Sequence, residues 1–82
     1  MRTIMGIQVG NREAEALKVQ ELLTKHGCNI KTRLGLHESS DVECSTSGLI
    51  LLEFLPNKDA EILVLQNELA KLDSVVVKQM VF

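Results

Sequence analysis

The stretch GLILLEFL, residues 48–55, decides the fold of this chain. Its length, its run of apolar residues and the Pro56-Asn57 pair that follows it predict a β-strand. Alternate side chains of a strand point to opposite faces of the sheet. One set is Ile50, Leu52 and Phe54, and the other is Leu49, Leu51 and Leu55. Glu53 is the single polar residue of the second set, so both faces of this strand need to be covered.

Three more strands and two helices are predicted around this strand. Apolar, β-branched or alternating patterns predict strands over Thr3–Val9, Asn29–Leu36 and Val75–Phe82. Apolar stripes at helical spacing predict helices over Arg12–His26 and Lys58–Leu72. The Ser- and acid-rich segment Glu38–Ser47 has no periodicity and is predicted to be a loop.

Short polar residues mark the expected ends of the two helices. Asn11 and Asn57 are placed to cap the first and second helix, because an Asn side chain accepts a hydrogen bond from a free helical N–H. Gly27 is placed to end the first helix in a left-handed conformation. His26 is expected to be either a cation or a contact residue at that helix end, and the nearby Cys28 to be a small buried residue.

The order βαββαβ predicts one α+β domain over residues 1–82, a ferredoxin-like sandwich. Right-handed crossovers place both helices on one face of an antiparallel sheet, with the first and third strands at its centre. The second face of the third strand is then left uncovered. An exposed apolar patch of this kind usually marks an interface. We therefore expect a homo-oligomer, a dimer or tetramer, with Leu49, Leu51 and Glu53 at the contact. The alternatives are a contact with another protein and, less favoured because these strands carry few polar residues, a small enzyme with a cleft over the sheet.

Composition argues against several classes of protein. The 82 residues carry a formal net charge of −2 without a basic patch, so we expect no nucleic-acid binding. No apolar run is long enough for a membrane span, and the start of the chain lacks a signal-peptide core. We therefore expect a cytoplasmic protein, in which the two cysteines, too few to staple a fold, are reduced thiols. The sequence identifies no cofactor.

One segment, from His37 to Cys44, clusters chemically reactive side chains. It offers an imidazole, a thiol and three carboxylates, and no Lys or Arg lies between Arg33 and Lys58. Such a set suits a cation, and two copies of His37 and Cys44 across a dyad could form a tetrahedral metal site. The alternatives are an ordinary solvated loop, which we favour, a redox-active thiol and, least favoured, a Cys–His nucleophile pair.

A second candidate ligand site lies at Gly10-Asn11, where the free N–H groups of the first helix could bind a carboxylate or phosphate. No further glycine-rich pattern accompanies it. Helix capping by Asn11 therefore explains the same two residues without a ligand.

Several motifs resemble a known family. The segments Arg33–His37 (RLGLH), Cys44-Ser45, Gly48–Glu53 (GLILLE) and Leu72–Lys78 (LDSVVVK) are similar to those of small ACT-like proteins known as iron-only hydrogenase system regulators. This resemblance implies an ACT-like sandwich, an oligomer and a regulatory or ligand-sensing role without catalysis. The chain departs from two relatives of that fold. Gly10–Glu13 lacks the Pro of the amino-acid-binding ACT turn, and the third strand lacks the paired histidines of nickel-responsive regulators.

Overall fold

The computed structural model describes residues 2–39 and 44–82, without the side chains of residues 37–47. Within these ranges the chain forms four strands and two helices in the predicted order. The elements are β1 (Thr3–Val9), α1 (Glu13–Lys25), β2 (Ile30–Ser39), β3 (Cys44–Phe54), α2 (Asp59–Ala70) and β4 (Val76–Val81). A short 3₁₀ turn, Gly27–Asn29, joins α1 to β2. The predicted βαββαβ sandwich is confirmed.

The sheet has the order β2-β3-β1-β4, and every pair of neighbours is antiparallel. The two apolar strands β3 and β1 therefore lie at the centre, as predicted, while the more polar β2 and β4 form the edges. Charged residues on edge strands, such as Lys31 and Lys78, discourage unwanted pairing with other chains.

The core fills the space between one face of the sheet and the two helices. Ile50, Leu52 and Phe54 of β3 are buried there, as the alternation of residues 48–55 predicts. The side chains that exclude solvent most completely are aliphatic: Met5, Ile7, Val19, Leu23, Leu52, Leu65 and Leu69. Branched and linear aliphatic side chains thus supply nearly all of the packing, since Phe54 is the one aromatic residue in this core.

The predicted loop over Glu38–Ser47 is wrong at both ends. β2 continues to Ser39 and β3 begins at Cys44, and these two residues pair across the hairpin. Residues 40–43 lie outside the described part of the chain. A hairpin is held by backbone hydrogen bonds, which polar residues make as well as apolar ones. The absence of an apolar pattern therefore did not reveal the extension.

Both predicted helix caps are wrong. Arg12, with an extended backbone, is the residue before α1, and its side chain makes no capping hydrogen bond. Lys58 occupies the corresponding position before α2. Asn57 instead adopts a left-handed conformation with φ of 64°, which Asn tolerates better than most residues, and so turns the chain between β3 and α2.

The end of α1 also differs from the prediction. The helix ends at Lys25, and Gly27 enters the 3₁₀ turn without a positive φ, so no left-handed residue is needed there. Cys28 lies in that turn and is exposed, not buried. His26 does make the expected contact: its ring is buried, and its Nε2 lies 3.1 Å from Oε1 of Glu68 on α2. This contact ties the end of α1 to the second helix.

Gly10 is required by the close approach of two turns. A Cβ at this position would lie 2.8 Å from the Cβ of Ser74 and 2.9 Å from the Ser74 carbonyl oxygen. Real side chains do not approach so closely, and one of these two atoms belongs to the backbone. The turn after β1 and the turn before β4 therefore pack against each other at a position that only glycine fits.

We expect Gly10→Ala to lower the free energy of unfolding by about 1–3 kcal/mol, the usual cost of overpacking. Gly35→Ala is the matched control, because a Cβ there meets nothing within 4 Å. Its effect should be neutral or slightly stabilising, since alanine restricts the unfolded chain. Urea unfolding of both variants measures the difference. A Gly10→Ala variant as stable as Gly35→Ala would contradict this packing.

Candidate functional site

The face of the sheet opposite the helices carries three rows of four residues, set by the strand register. The rows are Thr32–Glu53–Ile4–Met80, Leu34–Leu51–Gly6–Lys78 and Leu36–Leu49–Gln8–Val76. Residues directly opposite each other on neighbouring strands share a face. We call these twelve positions the open face.

The open face is mainly apolar and is not covered by the chain itself. Seven of its twelve residues are aliphatic, as the rows show. Leu34 is 52% exposed, Leu36 47%, Leu49 38% and Met80 56%. Both helices pack on the other side of the sheet, where Ile50 and Leu52 are buried among their side chains. The prediction that β3 has a second, uncovered apolar face is confirmed for Leu49, and Leu51 is half-buried by its neighbours in the sheet.

Glu53, the one polar residue that β3 contributes to the open face, is neutralised by Arg2. The guanidinium donates two hydrogen bonds to the carboxylate, from Nε to Oε2 at 2.8 Å and from Nη2 to Oε1 at 3.1 Å. The hydrogen bond from Arg2 holds the pKa of Glu53 below its usual value, helped by the charges of Arg2 and Lys31. Sequence analysis missed Arg2, because residues so distant in the chain meet only once the β1–β3 register is known.

A shallow groove crosses the open face beside β1. It has a volume of about 260 Å³ and is lined by Gly6, Gln8, Leu49, Val76 and Lys78. Gly6 lowers the middle of the sheet here, because the residues beside it have side chains and it has none. The groove gives the open face a concave surface into which a partner's side chains could fit.

The predicted site at His37 and Cys44 is only partly within the described structure. His37 belongs to β2 and pairs with Gly48, whereas Cys44 starts β3 and pairs with Ser39. Both residues therefore belong to one hairpin, but their side chains, and residues 40–43 entirely, lie outside the described part. The metal site and the redox-active thiol proposed for this segment therefore stay predictions. Among the residues that are described, no three metal-ligating side chains cluster together.

The second predicted site, Gly10-Asn11, lies beside a structural network at the start of α1. The Glu15 carboxylate accepts backbone hydrogen bonds from Asp73 at 2.8 Å and Ser74 at 2.9 Å, and another from the Ser74 hydroxyl. The packing of Gly10 on Ser74 explains the glycine without a ligand. Ligand binding at Gly10 and Asn11 therefore stays a prediction, and no local sequence pattern indicates that Glu15 joins the two turns.

Comparison with known proteins identifies the fold of this chain but does not assign it to a family. No family model and no curated protein sequence matches the chain. Among solved structures, the chain is similar to the uncharacterized protein TM1266 from Thermotoga maritima, with 26% identity and a TM-score of 0.79 over 96% of this chain and 92% of that one. It is also similar to the ACT domain from GTP pyrophosphokinase of Chlorobium tepidum, with 18% identity and a TM-score of 0.65 over 98% and 97% of the two chains.

These likenesses establish an ACT-like, ferredoxin-like fold. A de novo designed protein, Foldit4, shares the same arrangement with a TM-score of 0.61 and 15% identity over 100% of this chain and 99% of that one. The fold by itself therefore does not determine a function. Neither α1, with 13 residues, nor α2, with 12, is long enough to cross a membrane, and no other helix of the described residues is either.

The Glu15 network makes stability depend on pH in a defined direction. Hydrogen bonds from the Ser74 hydroxyl and backbone lower the pKa of Glu15, with smaller contributions from Asp73 and Arg12. A lowered pKa in the folded state stabilises the fold above the unfolded-state pKa of about 4.3, and this contribution is lost as the pH falls through the folded-state value.

We therefore expect Glu15→Gln to be less stable than wild type at pH 7, with a difference that shrinks as the pH falls below about 4.3. Glu13→Gln is the matched control, since Glu13 lies in the same first turn of α1 but makes no such hydrogen bond in the described structure. Urea midpoints from pH 7 to pH 3 measure both variants. A Glu15→Gln deficit that stays constant across this range, or that Glu13→Gln shares, would refute the assignment.

Proposed function

We propose that this chain is a small regulatory or ligand-sensing domain that acts in the cytoplasm as a homo-oligomer and has no catalytic activity of its own. The observation that carries the proposal is the open face, an apolar surface at the centre of an ACT-like sheet that the two helices leave uncovered. Monomeric soluble proteins seldom expose contiguous apolar patches of large area, and such patches mark interaction sites.

A second copy of the chain is the simplest partner for this surface. Two-fold symmetry places the same patch on both sides of a contact, so an apolar face meets an apolar face. The ion pair of Glu53 with Arg2 supports this arrangement, because a carboxylate that is already paired can enter an interface at a lower cost than an unpaired one. Lys78 lies on the edge strand β4, from which its ammonium can reach water.

The same surface argues for regulation over catalysis. Catalysis of acid–base or nucleophilic type needs several titratable groups in mutual reach. The open face holds two ionisable residues, Glu53 and Lys78, and Glu53 is engaged by Arg2. The similar ACT domain belongs to a GTP pyrophosphokinase, where it is a part of a larger protein. A domain of this fold with an apolar, unreactive sheet suits ligand sensing or assembly.

The narrower form of the proposal assigns the chain to the iron-only hydrogenase system regulators. Its support is the sequence resemblance over Arg33–His37, Gly48–Glu53 and Leu72–Lys78. In this form, the small ligand or metal is bound near a subunit boundary by the predicted residues His37 and Cys44. A carboxylate-bearing or phosphate-bearing ligand would instead use Gly10 and Asn11.

An interaction module for another protein is the second candidate function. The open face would then contact a different chain, and the purified protein would be monomeric. The groove beside Gly6 favours this reading as much as it favours self-association, since it can receive a side chain from either kind of partner. Oligomeric state therefore separates the two functions.

We expect Leu34→Glu and Leu51→Glu to dissociate the oligomer, because each places a charge in an apolar contact at a cost of at least about 2 kcal/mol per subunit. Such a cost raises the dissociation constant more than tenfold. Leu63→Glu is the matched control: Leu63 is 57% exposed, close to the 52% of Leu34, but lies on α2 at the other side of the sheet. Sedimentation velocity at micromolar concentration measures all three variants.

A wild-type monomer at that concentration would contradict self-association and favour the interaction module. Equal dissociation by Leu63→Glu would show that the effect is not specific to the open face and would contradict its assignment as the interface. Native mass spectrometry of the freshly purified protein adds a test of the predicted metal site. Metal bound to wild type and lost in Cys44→Ser would support it, whereas equal, substoichiometric metal in both would leave the His37–Cys44 segment as an ordinary connection.

A further inference from the structure

A cleft opens on the helix side of the sheet, between the start of α2 and the outer ends of β1 and β4. It has two lobes of about 320 Å³ and 80 Å³ that share Thr3, Asp59 and Ile62. The larger lobe is also lined by Leu63, Gln66, Gln79 and Val81. The cleft is separate from the open face, since the sheet lies between them.

Three polar side chains that line this cleft, those of Thr3, Asn57 and Asp59, have no partner in the part of the chain that the structure describes, and two of them, Thr3 and Asp59, line both lobes. Thr3 is only 8% exposed, yet its hydroxyl makes no hydrogen bond to another described residue. No fully buried side-chain oxygen of the described residues lacks a partner, so the hydroxyl of Thr3 is in contact with solvent, and Thr3 lines both lobes of the cleft. Asp59 lines both lobes too, and its carboxylate makes no ion pair or hydrogen bond with any described residue. A hydroxyl in this position can accept a hydrogen bond from a ligand.

The rest of the cleft is uncharged and partly apolar. Asp59 is the one ionisable residue among those that line it. The amides of Gln66 and Gln79 are hydrogen-bonded to each other and form a neutral wall. Leu63 and Val81, both 57% exposed, form an apolar rim. A ligand that covers this rim therefore needs an aliphatic body as well as a polar head.

The sign of charge on that head follows from Asp59. The start of a helix usually favours an anion. Here, Asp59 and Glu61 already supply negative charge in the first turn of α2, and an added anion would meet the Asp59 carboxylate at close range. A cation instead gains an opposite charge and a hydroxyl acceptor in the same cleft.

We propose that this cleft binds a small aliphatic ammonium compound. The ammonium donates hydrogen bonds to the Asp59 carboxylate and the Thr3 hydroxyl, and the aliphatic body packs on Leu63 and Val81. A free amine and a lysine side chain of another protein share this chemistry, and we choose the free amine because the larger lobe, at about 320 Å³, has room for a whole small molecule.

Amide chemical shifts of the ¹⁵N-labelled 82-residue chain, titrated with isopentylammonium, test the proposal. Shifts should concentrate at Thr3, Asp59, Leu63 and Val81, and binding should weaken as salt is added, because an exposed carboxylate is screened. Isopentanol, which has the same shape without the charge, should bind about 1.4- to fivefold more weakly, the range that an exposed ion pair contributes. Isovalerate, the anionic counterpart, should not bind.

Matched variants assign the binding to the two polar groups. Thr3→Val keeps the shape and should weaken binding about two- to tenfold, whereas Thr3→Ser, which keeps the hydroxyl, should not. Asp59→Asn should weaken it about two- to fivefold. Glu13→Gln is the control, because Glu13 is the first residue of α1 as Asp59 is of α2. Its affinity should equal that of wild type.

Three results would overturn the proposal. They are unchanged affinity in both Thr3→Val and Asp59→Asn, isopentanol or isovalerate binding as tightly as the amine, and shifts that lie away from the cleft. Tighter binding of N-acetyl-lysine amide than of isopentylammonium would overturn the choice of a free amine. Because these measurements do not involve the open face, their failure leaves the proposed oligomer untouched.

Discussion

The whole structure depends on one constraint, which is that the central strand β3 is apolar on both of its faces while two helices can cover only one. Ile50, Leu52 and Phe54 satisfy one face by packing against α1 and α2. The other face, with Leu49 and Leu51, receives no helix from this chain. Burial of apolar surface stabilises a protein by roughly 25 cal/mol per Å², so an uncovered face of this kind is a source of binding free energy.

The position of charges follows from the same constraint. Glu53 interrupts the second face of β3, and Arg2 neutralises it through two hydrogen bonds. The remaining charge of the open face, Lys78, lies on an edge strand. Charge is thus either paired or moved to the rim, which is the usual distribution in a protein interface. The helix side has its own polar features, the Glu15–Ser74 network and the Thr3–Asp59 cleft, and these do not depend on what covers the open face.

The elements with strong apolar patterns could be predicted from sequence. β1 was predicted with its observed bounds, Thr3–Val9, and the two helices within three residues at each end, because their buried residues repeat with the period of the element. The extension of β2 and β3 into residues 38–47 could not, since backbone pairing leaves no apolar signature. The caps failed for a related reason: an Asn can cap a helix or take a left-handed turn, and at Asn57 the turn prevailed.

The candidate sites also combine residues that could be predicted from a local pattern with residues that could not. The apolar half of the open face was predictable, because Leu49 and Leu51 alternate with buried residues in one strand. The contributions of Ile4, Leu34 and Met80 required the register of three strand pairs, and the Arg2–Glu53 pair required it too. Contacts between residues distant in the chain, such as Glu15 with Ser74 or the meeting of Thr3 and Asp59 in one cleft, leave no local pattern in the sequence.

Intermolecular NOEs in a one-to-one mixture of methyl-labelled and unlabelled chains test the central claim most directly, because they identify the methyl groups that touch another copy. We predict intermolecular NOEs to Leu34, Leu36, Leu49 and Leu51 and none to Leu17 or Leu63, which are more exposed but lie on the helices. Intermolecular NOEs confined to Leu17 and Leu63, or their absence from every methyl group of the open face, would contradict it.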